Sequence, residues 1–387
     1  MNLQVIDSVA AIDAVRWNAL VEPGNPFMRH EFLLALEETA CIGKGLAWQP
    51  KFIVATEDQA YRGAVAAFER SDSYGEYIFD WAWANAYAEA RLPYYPKITV
   101  AAPFTPASGR RMLLADQNDD ITLEALVTGL EGSARELHTS GIHLLCTTRS
   151  EQKQLSQSGF LPRLTHQYHW LNRDYRSFDD YLAVLRAHRR KEIKRERRKC
   201  AELGLEIKIL TKSQIEPRHI DAMYVFYAAT YARKWGSPYL NRETYHALLR
   251  RMRDSIVLVM AFDQGREVAG SIAFHSADRL FGRYWGASGN FPYLHFELCF
   301  YSLIEYAIGN KIHIFEAGAQ GEHKFQRGFT AMPVYSSHKL FDEGGADAIA
   351  RYLRQERRAT ARALMAYRSH SPIKGDQPYI PELEDDG

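Results

Sequence analysis

Two histidines, three glutamates and a lysine crowd one short stretch of this 387-residue sequence: His295, Glu297, Glu316, Glu322, His323 and Lys324. Side chains of these types can do proton chemistry. A carboxylate or an imidazole can accept the proton of an attacking amine, and a lysine or the backbone amides of the Gly318–Gly321 turn can hold the oxyanion that forms. Zinc ligation is the competing use, as in a metal-assisted hydrolase. However, neither His-Phe-Glu nor Glu-His-Lys has ligand spacing, and no HExxH is present. A serine nucleophile would need GxSxG, which is also missing. The residues therefore read as a metal-free acid–base set. Glu316, Glu297, His295 and His323 are the catalytic candidates, and Lys324 is on the substrate.

Local periodicity says what must position them. Leu298, Tyr301, Leu303, Ile304, Ala307 and Ile308 recur at helical spacing, and Gly309-Asn310 stops the helix. A β-prone run, Ile312–Phe315, follows. In open α/β sheets, ligands sit beyond the carboxyl ends of strands. That places the site after Phe315, with His295 and Glu297 at the start of the preceding helix. Upstream, Arg283, Tyr284 and Trp285 on the strand Leu280–Gly286 offer a guanidinium between aromatic rings for a carboxylate or phosphate.

Two other stretches carry candidates. Ser73–Tyr87 is aromatic, and alternation of Tyr77, Phe79, Trp81 and Trp83 predicts a strand with these rings on one face. Trp81, with Glu76 and Asp80, would edge a ligand pocket. Ser177 caps a helix predicted to run on to Gly204. Between Arg186 and Lys199 that helix holds nine Lys or Arg against two Glu. A surplus of seven positive charges in so short a run favours a phosphate-bearing partner, through Arg189, Arg190, Arg197 and Arg198.

Composition sets the frame. The chain is 46% hydrophobic and 25% charged with a net charge of +1, so it can build a core, and only a local patch can attract a polyanion. Four scattered cysteines fit neither a disulfide framework nor a zinc ribbon. No signal peptide and no membrane-spanning run is visible, which predicts a cytoplasmic protein without a membrane span. Nothing resembles a DNA-reading motif. The order helix, helix, hairpin, further strand, helix, strand, strand occurs twice, in residues 11–172 and 215–341. This predicts an α/β (α+β) protein of two similar domains, residues 1–172 and 215–370. Residues 173–214, with the basic helix and a strand, link them, and 371–387 form a loose acidic tail.

The stretches NPFMRHEFLLALEETACIG, SYGEYIFDWAWANAY, FDDYLAVLRAHRRKEIKRERRK and GRYWGASGNFPYLHFELCFYSLIEYAIGNKIHIFEAGAQGEHKFQRGF resemble the FemAB-like branch of the GNAT acyltransferase superfamily. The resemblance implies a tandem pair of GNAT-like domains with mixed sheets flanked by helices. It also implies acyl or aminoacyl transfer to a small-molecule or cell-wall-precursor amine in peptidoglycan biosynthesis. No cofactor would be held permanently. The donor would be an acyl-CoA or an aminoacyl-tRNA, the tRNA meeting the basic helix. Where GNAT enzymes carry their pyrophosphate loop, this chain has Gly286 and Gly289 but then Phe291, Pro292 and Tyr293. The alternative is a non-catalytic, degenerate pair that binds RNA or a cell-wall precursor.

Overall fold

A computed structural model describes residues 1–234, 236–319 and 321–375; most of the acidic tail therefore lies outside the described residues. The chain divides into two compact units. The first comprises Met1–Thr165 and Pro333–Ala361, the second His166–Met332 and the residues from Arg362 onward. The basic helix thus falls inside the second unit, and a late segment of chain returns to the first.

In the first unit the strands are β1 (Asn2–Ile6), β2 (Trp48–Pro50), β3 (Phe52–Glu57), β4 (Ala60–Val65), β5 (Ala67–Arg70), β6 (Lys97–Val100), β7 (Met112–Leu114) and β8 (Gly141–Thr147). β9 (Leu161–Leu171) crosses into the second unit, which adds β10 (Glu206–Thr211), β11 (Ile256–Asp263), β12 (Arg266–Ser276), β13 (Arg279–Ala287) and β14 (Ile314–Glu316). β15 (Thr330–Leu340) lies in the first unit from Pro333. The expected hairpin is present: Asp58 and Gln59 both take positive φ, the backbone a two-residue hairpin turn requires.

Each unit holds four antiparallel neighbours and a parallel strand pair, but in the first unit the four form a sheet apart from that pair. In the first, β1, β3, β4 and β7 are antiparallel neighbours. β5 then leads to β6, which runs parallel to β8, and β8 is antiparallel to β15. In the second, β10, β11, β12 and β13 are antiparallel neighbours, β13 runs parallel to β14, and β14 is antiparallel to β9. In each case a helix crosses between the two parallel strands: Asp120–Glu136 in the first unit, and Leu294–Gly309 in the second. A parallel pair needs such a crossover. The result is a mixed α/β fold with open sheets flanked by helices, each unit with its own buried apolar core.

Three local expectations need correcting. The aromatic run is not a strand: Trp81–Glu89 is a helix, on which positions two apart face nearly opposite ways, so Trp83 is buried while Trp81 is exposed. The basic helix is not continuous with the one capped by Ser177. Phe178–Val184 ends, Leu185 and Arg186 turn extended, and Ala187–Ala201 begins anew. The cause is a strand-like contact, since Leu185 bridges Ile373 and the Arg186 amide donates to the Pro372 carbonyl. The helix ending at Gly309 contains a π-helical turn, Glu297–Tyr301, which hydrophobic spacing could not foresee.

Candidate active site

β13 and β14 stay paired only from Arg279↔Ile314 to Phe281↔Glu316. β14 then ends, while β13 continues to Ala287. The chain beyond Glu316 diverges, and the opening holds a cavity of about 160 Å³. Its lining includes His295, His323, Lys324, Arg283, Tyr284 and Trp285, six residues singled out from sequence. Two local irregularities shape it. A bulge in the β12–β13 ladder leaves Arg283 as the extra residue between the pairs Ile272↔Tyr284 and Ala273↔Gly282, and bulges re-aim side chains. The π turn carries Cys299 and Phe300 into the wall, and π turns gather at functional sites. Ser271 steadies that turn by donating its hydroxyl to the Leu298 carbonyl at 2.8 Å.

His323 and Lys324 sit on a single 3-10 turn, Glu322–Arg327. Gly321 precedes it at φ +112°, where a β-carbon would lie 2.5 Å from the His323 ring, so this position needs glycine. The other end is fixed by Arg327. Its guanidinium bonds Glu196 at 2.6 Å, Tyr301 at 3.0 Å and the His323 carbonyl at 2.7 Å, and it stacks over Phe296 at 3.5 Å. Tyr301 also donates to Glu196. Glu196 is the inward-facing acid of the basic helix. Neither it nor Arg327 was a sequence candidate, although a glutamate on the apolar face of a strongly basic helix is a readable sign of a buried cationic partner.

Within the cavity, Lys324 is only 4% exposed. Its ammonium group donates to the Gly318 carbonyl at 2.8 Å, and burial brings its pKa down to about 7. His323 is also pushed down by burial, and further by Arg327 and Lys324; its Nε2 is buried without a hydrogen-bond partner. The His295 ring lies 4.8 Å from Trp285 and 5.9 Å from His323. The Arg283 guanidinium lies 4.8 Å over the Tyr284 ring and donates to its hydroxyl.

The two glutamates favoured from sequence stand elsewhere. Glu316 is buried at the end of β14 and pairs with Arg279. The nearby His169 ring, 3.9 Å away, has its pKa lowered to about 3, chiefly by burial, and so stays neutral. Glu297 faces Arg197 at 2.8 Å in a separate groove, where Arg197 also binds Glu305. Burial raises the Glu297 pKa and Arg197 opposes the rise. In the first unit, Glu76 and Asp80 are buried around Lys97, at 2.8 and 2.5 Å, with Thr99 and Tyr94 completing the bonds. Trp81 is apart from them, stacked near Phe79 at the surface. On the basic helix, Arg189 pairs with Glu192, Arg198 lies 4.0 Å from Glu202, and Arg190 reaches the Ala183 carbonyl. Among the described residues no three His, Cys, Asp or Glu side chains are grouped as a metal site would need.

Residues 8–375 match one protein family, described as peptidoglycan biosynthesis/recognition. The chain belongs to the FemAB-like family. Solved structures agree in fold. A structure of FemX is 10% identical over 90% of this chain and 100% of its own, with a TM-score of 0.55. The C-terminal domain of a putative lysylphosphatidylglycerol synthetase from Agrobacterium fabrum is 8% identical over 89% of this chain and 97% of its own, at 0.56. L-PGS from Bacillus licheniformis gives 9%, 89%, 97% and 0.50. A comparison with curated protein sequences found no match. FemAB-like membership, on a fold shared with these proteins, supports a transferase activity. No helix among the described residues is long and apolar enough to cross a membrane.

Proposed function

We propose that this FemAB-like protein transfers an acyl or aminoacyl group to an amine, with Lys324 as the proton acceptor. The observation carrying the proposal is a buried lysine, lowered to a pKa of about 7, in the wall of a cavity where the sheet splays. A group titrating near the working pH serves best as both base and acid. The acceptor enters as an ammonium ion and gives one proton to the neutral Lys324 amine. Its nitrogen then attacks the donor's carbonyl carbon, forming the C–N bond and pushing the carbonyl electrons onto oxygen. The His295 ring, also in the cavity wall, is the candidate to donate to that oxyanion. Collapse restores the carbonyl and breaks the bond to the leaving oxygen or sulfur, which takes the proton held by Lys324, while the amide nitrogen gives its second N–H proton to solvent.

Glu316 suits this role less well, because its carboxylate is already neutralised by Arg279. The donor is an acyl-CoA or an aminoacyl-tRNA and the acceptor a cell-wall-precursor amine; the family's description, peptidoglycan biosynthesis/recognition, supports the acceptor class. The test is a donor and acceptor panel run with the parent and Lys324→Met. The substitution should lower single-turnover rates by roughly 10²–10⁴-fold and remove the rate limb that rises near pH 7. A rate within about threefold of the parent would exclude Lys324 as the base. Binding without turnover on any donor would instead favour a recognition module.

A further inference from the structure

The polar lining of the β13–β14 cavity is one-sided. It presents the Arg283 guanidinium, the rings of His295 and His323, the Lys324 amine and several neutral groups, and no carboxylate is among its described lining residues. This is not for want of acids nearby in sequence. Glu297 is bound by Arg197, Glu316 by Arg279, and Glu322 is exposed and within 3.4 Å of the Tyr367 hydroxyl. None of the three is among the cavity's described lining residues. In addition, His323 lines the cavity and its Nε2 is buried with no partner, so the ring keeps a hydrogen-bonding capacity that no described residue uses. The neutral ring donates from this nitrogen in one tautomer, and the charged ring does so always.

We infer that the acceptor amine carries a free carboxylate, received in this cavity by His323 and Arg283, while its amine faces Lys324. This rests on the transfer reading above and narrows its acceptor class to an amino acid or to the terminal residue of a peptide. A purely cationic amine would meet like charges on entry, whereas a zwitterion brings its own anion to a wall of donors. The carboxylate would also favour protonated Lys324, which makes that amine a stronger base once substrate is bound.

Two matched pairs test this by calorimetric binding to the whole protein, with no donor present: Nα-acetyl-lysine against its carboxamide, and a lysine-terminated tetrapeptide against its carboxamide. Within each pair the side-chain amine is the same and only the carboxylate differs. The acid should bind roughly tenfold more tightly or better. A preference in both pairs means a peptide terminus fits, and one in the first pair alone means a free amino acid. In His323→Phe and Arg283→Gln, each checked by thermal melting, the acid-to-amide ratio should fall towards one. Equal binding within both pairs, or a preference that survives both substitutions, overturns the inference. Should the preference hold while no donor gives turnover, it is the transfer reading that fails.

Discussion

Lys324 and Glu316 separate chemistry from architecture at the level of single residues. Burying a lysine that must carry charge below pH 7 costs stability, so Lys324→Met should stabilise the protein even as it removes turnover. Its folded pKa, about 7, lies below its ordinary value of 10.5. Between those values the unfolded chain holds a proton that the folded chain lacks, so the parent gains stability as pH rises through this window. The melting advantage of Lys324→Met should therefore be largest at pH 7 and below and fade towards pH 10.5. Losing the bond to the Gly318 carbonyl offsets part of it. Glu316→Gln should do the reverse. Removing the charge that neutralises Arg279 at a buried strand end should cost about 3 kcal/mol while turnover of the folded fraction stays within about threefold. Parallel melting and single-turnover measurements decide, and a large rate loss in Glu316→Gln with an unchanged melting temperature would return the base role to that carboxylate.

The basic helix acts as an element with two faces. Ile193, Glu196 and Cys200 are buried, and through Glu196 and Arg197 the helix holds the His323–Lys324 turn by way of Arg327, and the start of the crossover helix by way of Glu297. Lys191, Lys194, Arg195 and Arg198 lie on the exposed face. Reversing Lys191, Arg195 and Arg198 to Glu should weaken binding of an RNA or other polyphosphate, with an effect that shrinks as salt is added, and should leave the melting temperature nearly unchanged. Arg197→Glu should instead destabilise the fold, because it sets a third carboxylate against Glu297 and Glu305. Charge-reversed protein that binds RNA as the parent does, at low salt, would leave the exposed face as solvated surface.

Across the whole molecule, acid stability reports a feature unrelated to the site. In the first unit, His143 on β8 and His338 on β15 meet Nδ1 to Nδ1 at 2.8 Å, fully buried. Burial, with Lys97 nearby, lowers His143 to about 3, and His338 is also well below its ordinary 6.5. As pH falls from 6.5 towards 3, the unfolded chain takes protons that the folded pair refuses, so stability declines by up to about 1.4 kcal/mol per pH unit for each ring. A double His143→Gln, His338→Gln variant should melt with a flatter pH dependence between 6.5 and 5, and an unchanged slope would refute the assignment. The sequence alone determined much of the element order outside the aromatic run and the break before the basic helix, and several caps and turns. Those depend on neighbours within a few residues: Ser177 accepts from the Asp180 amide and Asn241 from that of Thr244, as their spacing requires. His323 and Lys324 were legible as site candidates because they follow a recognisable strand, His295 because it opens the preceding helix, and Arg283, Tyr284 and Trp285 as a guanidinium beside aromatic rings. Which groups surround each of them was decided by the tertiary structure. Whether Glu316 is free or neutralised depends on Arg279, 37 residues away, and the turn that carries Lys324 is held through Arg327 by Glu196, 131 residues away; local spacing does not say which charges will meet. The same holds for Glu76 and Asp80, whose charge is spent on Lys97, and for the π turn, whose displaced carbonyl is met by a serine on another strand. Periodicity reports which face is buried; only the folded chain sets which charges meet there, because pairing energies depend on distance and desolvation that no local pattern encodes.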